Sequence, residues 1–324
     1  MEKICLDLFR KGFSTPSKKL DGPKSRHKAL APPNKMSAQY FQSFCLIIST
    51  LFDTEDMSTT FRHSCIHGNV HVVDILTELF DDEIKNSKLI GLRKACQTNK
   101  VAIVERLLHI QHDVIDTLSY ASENGHLEIV EKLLQDDRLN KLYQIQFEES
   151  EELYDKCLFD ACGNGHLAIV DLLLKDGRFN PAWNNGYTMS QTPLSEACSG
   201  GHITVVERLL QDSRVDPSYK HNFAISRMCF ECHSTSAKIE IMKLLIENDT
   251  VDLLETDDDY EFNVLSATFI SEDIEVARWL FNEFYFAEEA IDEATDTAYK
   301  EKWVTNSENF EASMLQIRAL YDES

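Results

Sequence analysis

The stretch Cys229-Phe230-Glu231-Cys232-His233 fits the Cys-x-x-Cys-His pattern of covalent haem attachment, with the imidazole as an iron ligand. A c-type haem would also need an oxidising compartment, an axial ligand and a cavity, and the sequence suggests none of these. Zinc would need four ligands at close spacing, and only three are here. A metal or haem site at Cys229-Cys232-His233 is therefore a minor alternative. His63, His67 and His71 lie four apart, which on one continuous helix would align three imidazoles toward a metal; Gly68-Asn69 interrupts that helix, so turn and surface histidines are expected. Asp257-Asp258-Asp259 with Glu261 lacks the glycine and terminal glutamate of a calcium loop and reads as a solvated acidic hairpin. The chain has no Gly-rich phosphate loop, nucleophile elbow, kinase motif set or zinc-protease helix. Neither enzymatic activity nor a cofactor is expected.

With chemistry set aside, the elements themselves come to the fore. The 324 residues are 43% hydrophobic and 27% charged, which suits an ordinary folded protein. The formal net charge is −23, but residues 1–36 contribute about +6 and the remainder about −29. So acidic a body repels phosphate backbones, which argues against nucleic acid and for basic or mixed-charge protein partners. Nine cysteines, most in apolar helix-like stretches, read as reduced core residues. The longest apolar run, Phe44 to Ile48 with Leu51 and Phe52 beyond it, is far too short to span a bilayer. Intracellular residence is expected, cytoplasmic with a nuclear route open through the basic amino-terminal tail, and so is a monomer.

One block recurs seven times. Its clearest copies run from Ala121 to Leu134, Ala161 to Leu174 and Ala197 to Leu210, and weaker ones start at Ser64, Ala95, Cys232 and Ala267. Successive spacings are 31, 26, 40, 36, 35 and 35 residues. In the copy at Ala197, residues Ile203, Val206, Leu209 and Leu210 fall on one helical stripe while Glu207 and Arg208 face water. The small residue at the head of each block lets two helices approach closely. Gly125, Gly165 and Gly201 end the preceding short helix where the chain must reverse. Asp- and Pro-rich stretches such as Gly177–Pro181 and Ser213–Pro217 link one helical pair to the next. Such a unit cannot bury its stripe alone and requires stacked neighbours.

The stretch Thr192-Pro193-Leu194-Ser195-Glu196-Ala197-Cys198, followed by Gly201-His202 and Val205-Val206-Glu207-Arg208-Leu209-Leu210, closely resembles the ankyrin repeat. The array resembles the divergent ankyrin repeats of protists and of the large viruses that infect them. The resemblance covers roughly residues 58–285. It implies an all-α ankyrin-repeat solenoid of about seven helix-turn-helix repeats with short hairpin loops and helical caps. Three departures stand out: Ser195 occupies a position usually held by His, the second unit is about seven residues short, and the 40-residue spacing implies an extra acidic loop around Glu148 to Glu152.

Around the array, residues 1–35 are expected to be a disordered basic tail, 36–57 an amino-terminal capping helix, and 286–324 carboxy-terminal capping helices with a stripe of Phe310, Met314, Ile317 and Leu320 beside Trp303. The family resemblance implies a protein-protein interaction scaffold or adaptor that binds through a concave face of hairpin tips and first helices. Carried over by position, the tip candidates are Trp183, Tyr187, Met189, Tyr219, His221, Tyr260 and Phe262, and the first-helix candidates are Glu123, Asn124, Asn164 and Ser199. A ubiquitin-ligase substrate adaptor is the alternative within this class, although residues 38–56 carry no convincing F-box or similar motif.

Overall fold

The computed structural model describes residues 54–79, 81–108, 114–146, 152–183, 191–247, 251–256, 263–301 and 309–323. Every regular element among the described residues is a helix. We number them α1 (Thr54–His67), α2 (Val70–Leu79), α3 (Asp81–Gln97), α4 (Val101–Leu108), α5 (Val114–Glu123), α6 (Leu127–Leu134), α7 (Asp137–Gln146), α8 (Glu152–Gly163) and α9 (Leu167–Asp176). The series continues with α10 (Pro193–Ser199), α11 (Ile203–Leu210), α12 (Tyr219–Glu231), α13 (Thr235–Ile246), α14 (Val264–Ile270), α15 (Ile274–Glu283), α16 (Glu288–Glu301) and α17 (Phe310–Glu323). The expected tail and most of the amino-terminal cap fall outside the described residues, as does Trp303.

The chain divides into two compact units, Met1–Tyr120 and Ala121–Ser324. In the first, α1 packs on α3 and α2 on α4, around a core of Phe61, Cys65, Ile84, Leu92, Ile103 and Leu107. In the second, the first helices of successive pairs form one layer, α8 on α10 on α12 on α14 on α16. Their second helices form another, α6 on α9 on α11 on α13 on α15 on α17. The last pair, α16 and α17, continues both layers: Phe310, Met314 and Ile317 are buried and Leu320 half-buried.

Local sequence explains each pair. In α11 the helical period brings Val205, Val206 and Leu209 inward, each worth roughly 1.5–3 kcal/mol on burial. A capping box closes the start of α10, in which the Ser195 amide donates to Thr192 Oγ1 at 3.2 Å and the Thr192 amide to Ser195 Oγ at 2.9 Å. Ser195 thus spends its hydroxyl on its own helix. Asn263 and Ser266 repeat the device at α14. Two residues before the second helix the backbone is left-handed at Gly68, Asn99, Gly125, Gly165, Gly201 and Glu272, with α13 the exception.

That turn fixes the true repeat register. The amide that begins the second helix donates to a carbonyl five residues back: Asn69 to Ser64, Lys100 to Ala95, His126 to Ala121, His166 to Ala161, His202 to Ala197. Counting five residues back from the helix caps Ser234 and Asp273 gives Cys229 and Thr268 as heads of the last two blocks. Cys232 and Ala267 are therefore not the heads that the sequence suggested, and the spacings become 32 and 39 residues, not 35 and 35. Equal spacing had hidden a three-residue slip at the first of these heads and a one-residue slip, in the other direction, at the second. The 40-residue interval contains helix α7, with Leu139 buried; the acidic loop expected around Glu148 to Glu152 lies almost wholly outside the described residues.

Candidate functional site

Successive pairs in the second unit are joined at their turns. His166 Nε2 donates to the Glu123 carbonyl of the preceding pair at 3.0 Å, and His202 Nε2 donates to the Gly163 carbonyl at 2.9 Å. Because a carbonyl only accepts, both imidazoles carry their proton on Nε2. The bond runs to the neighbouring pair, not within the histidine's own turn. The histidine ring also lies over the glycine before it: a Cβ on Gly165 would stand 2.5 Å from His202 Nδ1, and one on Gly125 2.6 Å from His166 Cε1. Glycine is needed there for both its positive φ and the space.

A second tie recurs fifteen and seventeen residues after each central alanine head: Asp136/Arg138, Asp176/Arg178 and Asp212/Arg214. In each, the guanidinium clasps the carboxylate two residues back. Arg178 reaches on to the Leu134 carbonyl at 3.0 Å and Asn140 Oδ1 at 2.8 Å, and Arg214 to the Phe179 carbonyl at 3.4 Å. Arg214 and its backbone amide hold the Asp212 carboxyl below the usual carboxylate range. The Asp-x-Arg recurrence was visible in the sequence; its reach to the previous linker was not.

These ties leave the first-helix layer with a row of polar groups. Lys156 pairs with Asp160 at 2.6 Å, and Arg227 pairs with Glu196 across the pair boundary and with Glu231 at 2.9 Å. Glu123, Asn124 and Asn164 are exposed at the ends of successive first helices, and the Asn164 amide donates to the Asp160 carbonyl at 2.8 Å. Ser199, at the same step of the next helix, is half-buried, and its Oγ has no hydrogen-bond partner.

The tip residues are less uniform. Trp183 is half-buried and meets Phe159 edge to face at 5.6 Å between centroids. Tyr219 is half-buried. His221 Nδ1 lies 2.8 Å from Glu255 Oε1 of the following linker. Tyr219 and His221 belong to a kinked start of α12, not to a hairpin, where Lys220, His221 and Asn222 are all left-handed. Each such residue costs about 1–2 kcal/mol, offset here by the Asn222 amide donating to the Asp252 carbonyl at 2.6 Å. Tyr187, Met189, Tyr260 and Phe262 lie outside the described residues, as do Asp257 to Glu261.

The Cys-x-x-Cys-His stretch straddles the end of a helix. Helix α12 ends at Glu231; Cys232 is its extended cap and His233 is exposed beyond it. Cys229 and Cys232 are buried, and burial pushes the Cys229 thiol up to about 11. Cys65 and Cys96 are pushed up to about 12 by the same desolvation. Cys232 instead fills a structural place, its Sγ over Gly201 where a histidine ring covers the earlier turns. His63 and His67 lie edge to face at 6.2 Å on α1, and His71 is exposed on α2 beyond the left-handed Gly68. No group of three metal-ligating side chains occurs among the described residues, and no helix among them is long and apolar enough to cross a membrane.

A family model of ankyrin repeats matches residues 118–221 in three copies. The ankyrin repeat domain of human ASB11 aligns with a TM-score of 0.45 and 17% identity, covering 69% of this chain and 96% of that one. No curated protein matches. The matched residues are those in which the glycine turn, the histidine bond to the preceding pair and the two helical layers recur together, and residues 118–221 form a run of ankyrin repeats.

Proposed function

We propose that the chain is a protein-binding scaffold or adaptor that engages its partner along the first-helix layer and the adjoining tips of the second unit, and performs no catalysis of its own. Ankyrin repeats generally mediate protein-protein interaction. The observation that carries the reading is the division of labour in the stack. Second helices spend their apolar stripes on one another, while the first helices keep Glu123, Asn124, Lys156, Asn164 and Glu231 exposed in successive steps. A surface held rigid by its neighbours binds with little ordering cost. The body's charge of about −29 favours a basic or mixed-charge protein and disfavours nucleic acid. In this reading the pair α16–α17 closes the carboxy-terminal end, and Trp183, Tyr187, Met189, Tyr219, His221, Tyr260 and Phe262 flank the docking face together with Ser199.

The test is affinity capture from the native cell with the full chain and with a Trp183→Ala/Tyr219→Ala double variant. A partner recovered by the first and lost from the second, at a nearly unchanged melting temperature, supports the reading. A collapse in stability shows those rings to be core, and equal recovery by both places the partner elsewhere.

A further inference from the structure

The second helices carry a buried residue nine positions after each head. In five pairs it is valine: Val73, Val104, Val130, Val170 and Val206. In the register fixed by the turns, the corresponding residue of α13 is Lys238, which is 6% exposed. Its Nζ donates to the Cys229 carbonyl at 2.9 Å and to Asp273 Oδ2 of the following pair at 3.0 Å. Asp273 is fully engaged: its Oδ1 caps α15 by accepting from the Val276 amide at 3.2 Å, and its Oδ2 also accepts from Thr235 Oγ1 at 3.3 Å. Cys229 Sγ and Thr268 Oγ1, 3.7 Å apart, complete a polar seam between the two pairs. Beside that contact the first helices at this junction meet through apolar residues, with Ile225 and Met228 buried on α12 and Val264, Leu265, Phe269 and Ile270 buried on α14.

We propose that the Lys238–Asp273 pair is a latch, and that helices α14 to α17 swing open and shut together on the contact of α12 with α14. A buried ion pair holds a junction less tightly than a well-packed apolar pair, because opening returns both charges to water. It is also all-or-none, since either charge left buried alone is strongly disfavoured. A valine at this position would close the seam; a lysine makes closure conditional on the carboxylate opposite. The junction between α12–α13 and α14–α15 is thus held at its core by a charged pair where the earlier pairs carry valine.

Hydrogen exchange of the full chain, read by mass spectrometry, tests this with two variants. In the native protein the amides of α14 to α17 exchange faster than those of α9 and α11. Asp273→Asn speeds exchange in α14 to α17 by about 100-fold or more and leaves α9 and α11 unchanged. Lys238→Met/Asp273→Thr, which keeps a cap and removes both charges, slows the same helices by about tenfold. The proposal is overturned if α9 and α11 lose protection equally in Asp273→Asn, or if the double variant leaves α14 to α17 unchanged or faster.

Discussion

The stretch from Ala121 to Leu210 and the stretch from Cys229 to Glu283 solve one stacking problem with different chemistry. In the first, a glycine turn lies under the next pair's histidine, that imidazole bonds back to a carbonyl, and the buried second-helix position is valine. In the second, Cys232 takes the ring's place, Glu272 takes the glycine's, and Lys238 takes the valine's and pairs with the helix cap Asp273. The first kind of junction buries no ion at that position. The charged one stands or falls with a single partner, because desolvating an ion is affordable only when its counter-ion is in place. Repetition in an array therefore constrains shape more tightly than it constrains the interactions that hold the shape.

Substitutions can break this contrast, beginning with the largest effect. Asp273→Ala strands Lys238 in the interior and is expected to destabilise helices α14 to α17 by about 3–5 kcal/mol, measurable by native-state hydrogen exchange. Gly165→Ala must accept both a left-handed backbone and a methyl inside the His202 ring, for roughly 2–4 kcal/mol. Gly177→Ala sharpens that comparison: its φ of 79° is just as left-handed but nothing stands within 4 Å, so about 1–2 kcal/mol is expected and the difference isolates the ring. His202→Ala removes one bond to a carbonyl and some packing, about 1–2 kcal/mol in a thermal melt.

The smallest effect is electrostatic. Arg208 and then Lys175 beside Asp171 hold its carboxyl below the usual carboxylate range. A depressed folded-state value means that the contribution is complete above the unfolded value and is lost as pH falls through the folded one. Wild type should exceed Asp171→Asn by roughly half a kcal/mol or less at neutral pH, since this carboxylate is largely solvated, and the two melting curves should converge in acid.

Much of the fold was legible because ankyrin-type stacking writes itself locally. A helical stripe, a small head and a glycine turn are all decided within fourteen residues, so Ala121, Ala161 and Ala197 were placed correctly from residue types alone. The candidate site was less legible. Glu123, Asn124 and Asn164 were found exposed at the expected steps, whereas Tyr219 and His221 entered a strained helix start, because the Asn222 bond to the Asp252 carbonyl lies thirty residues away in sequence. By itself the sequence determined that this chain would build paired helices and stack them, since apolar period and turn chemistry act over a few residues. Only the tertiary structure decided that Cys229 and Thr268 head the last two blocks, that histidines bond backward to the preceding pair, and that a lysine stands in the core. Each of those depends on a partner from another pair, and a buried charge is intelligible only once the group that neutralises it has been brought alongside.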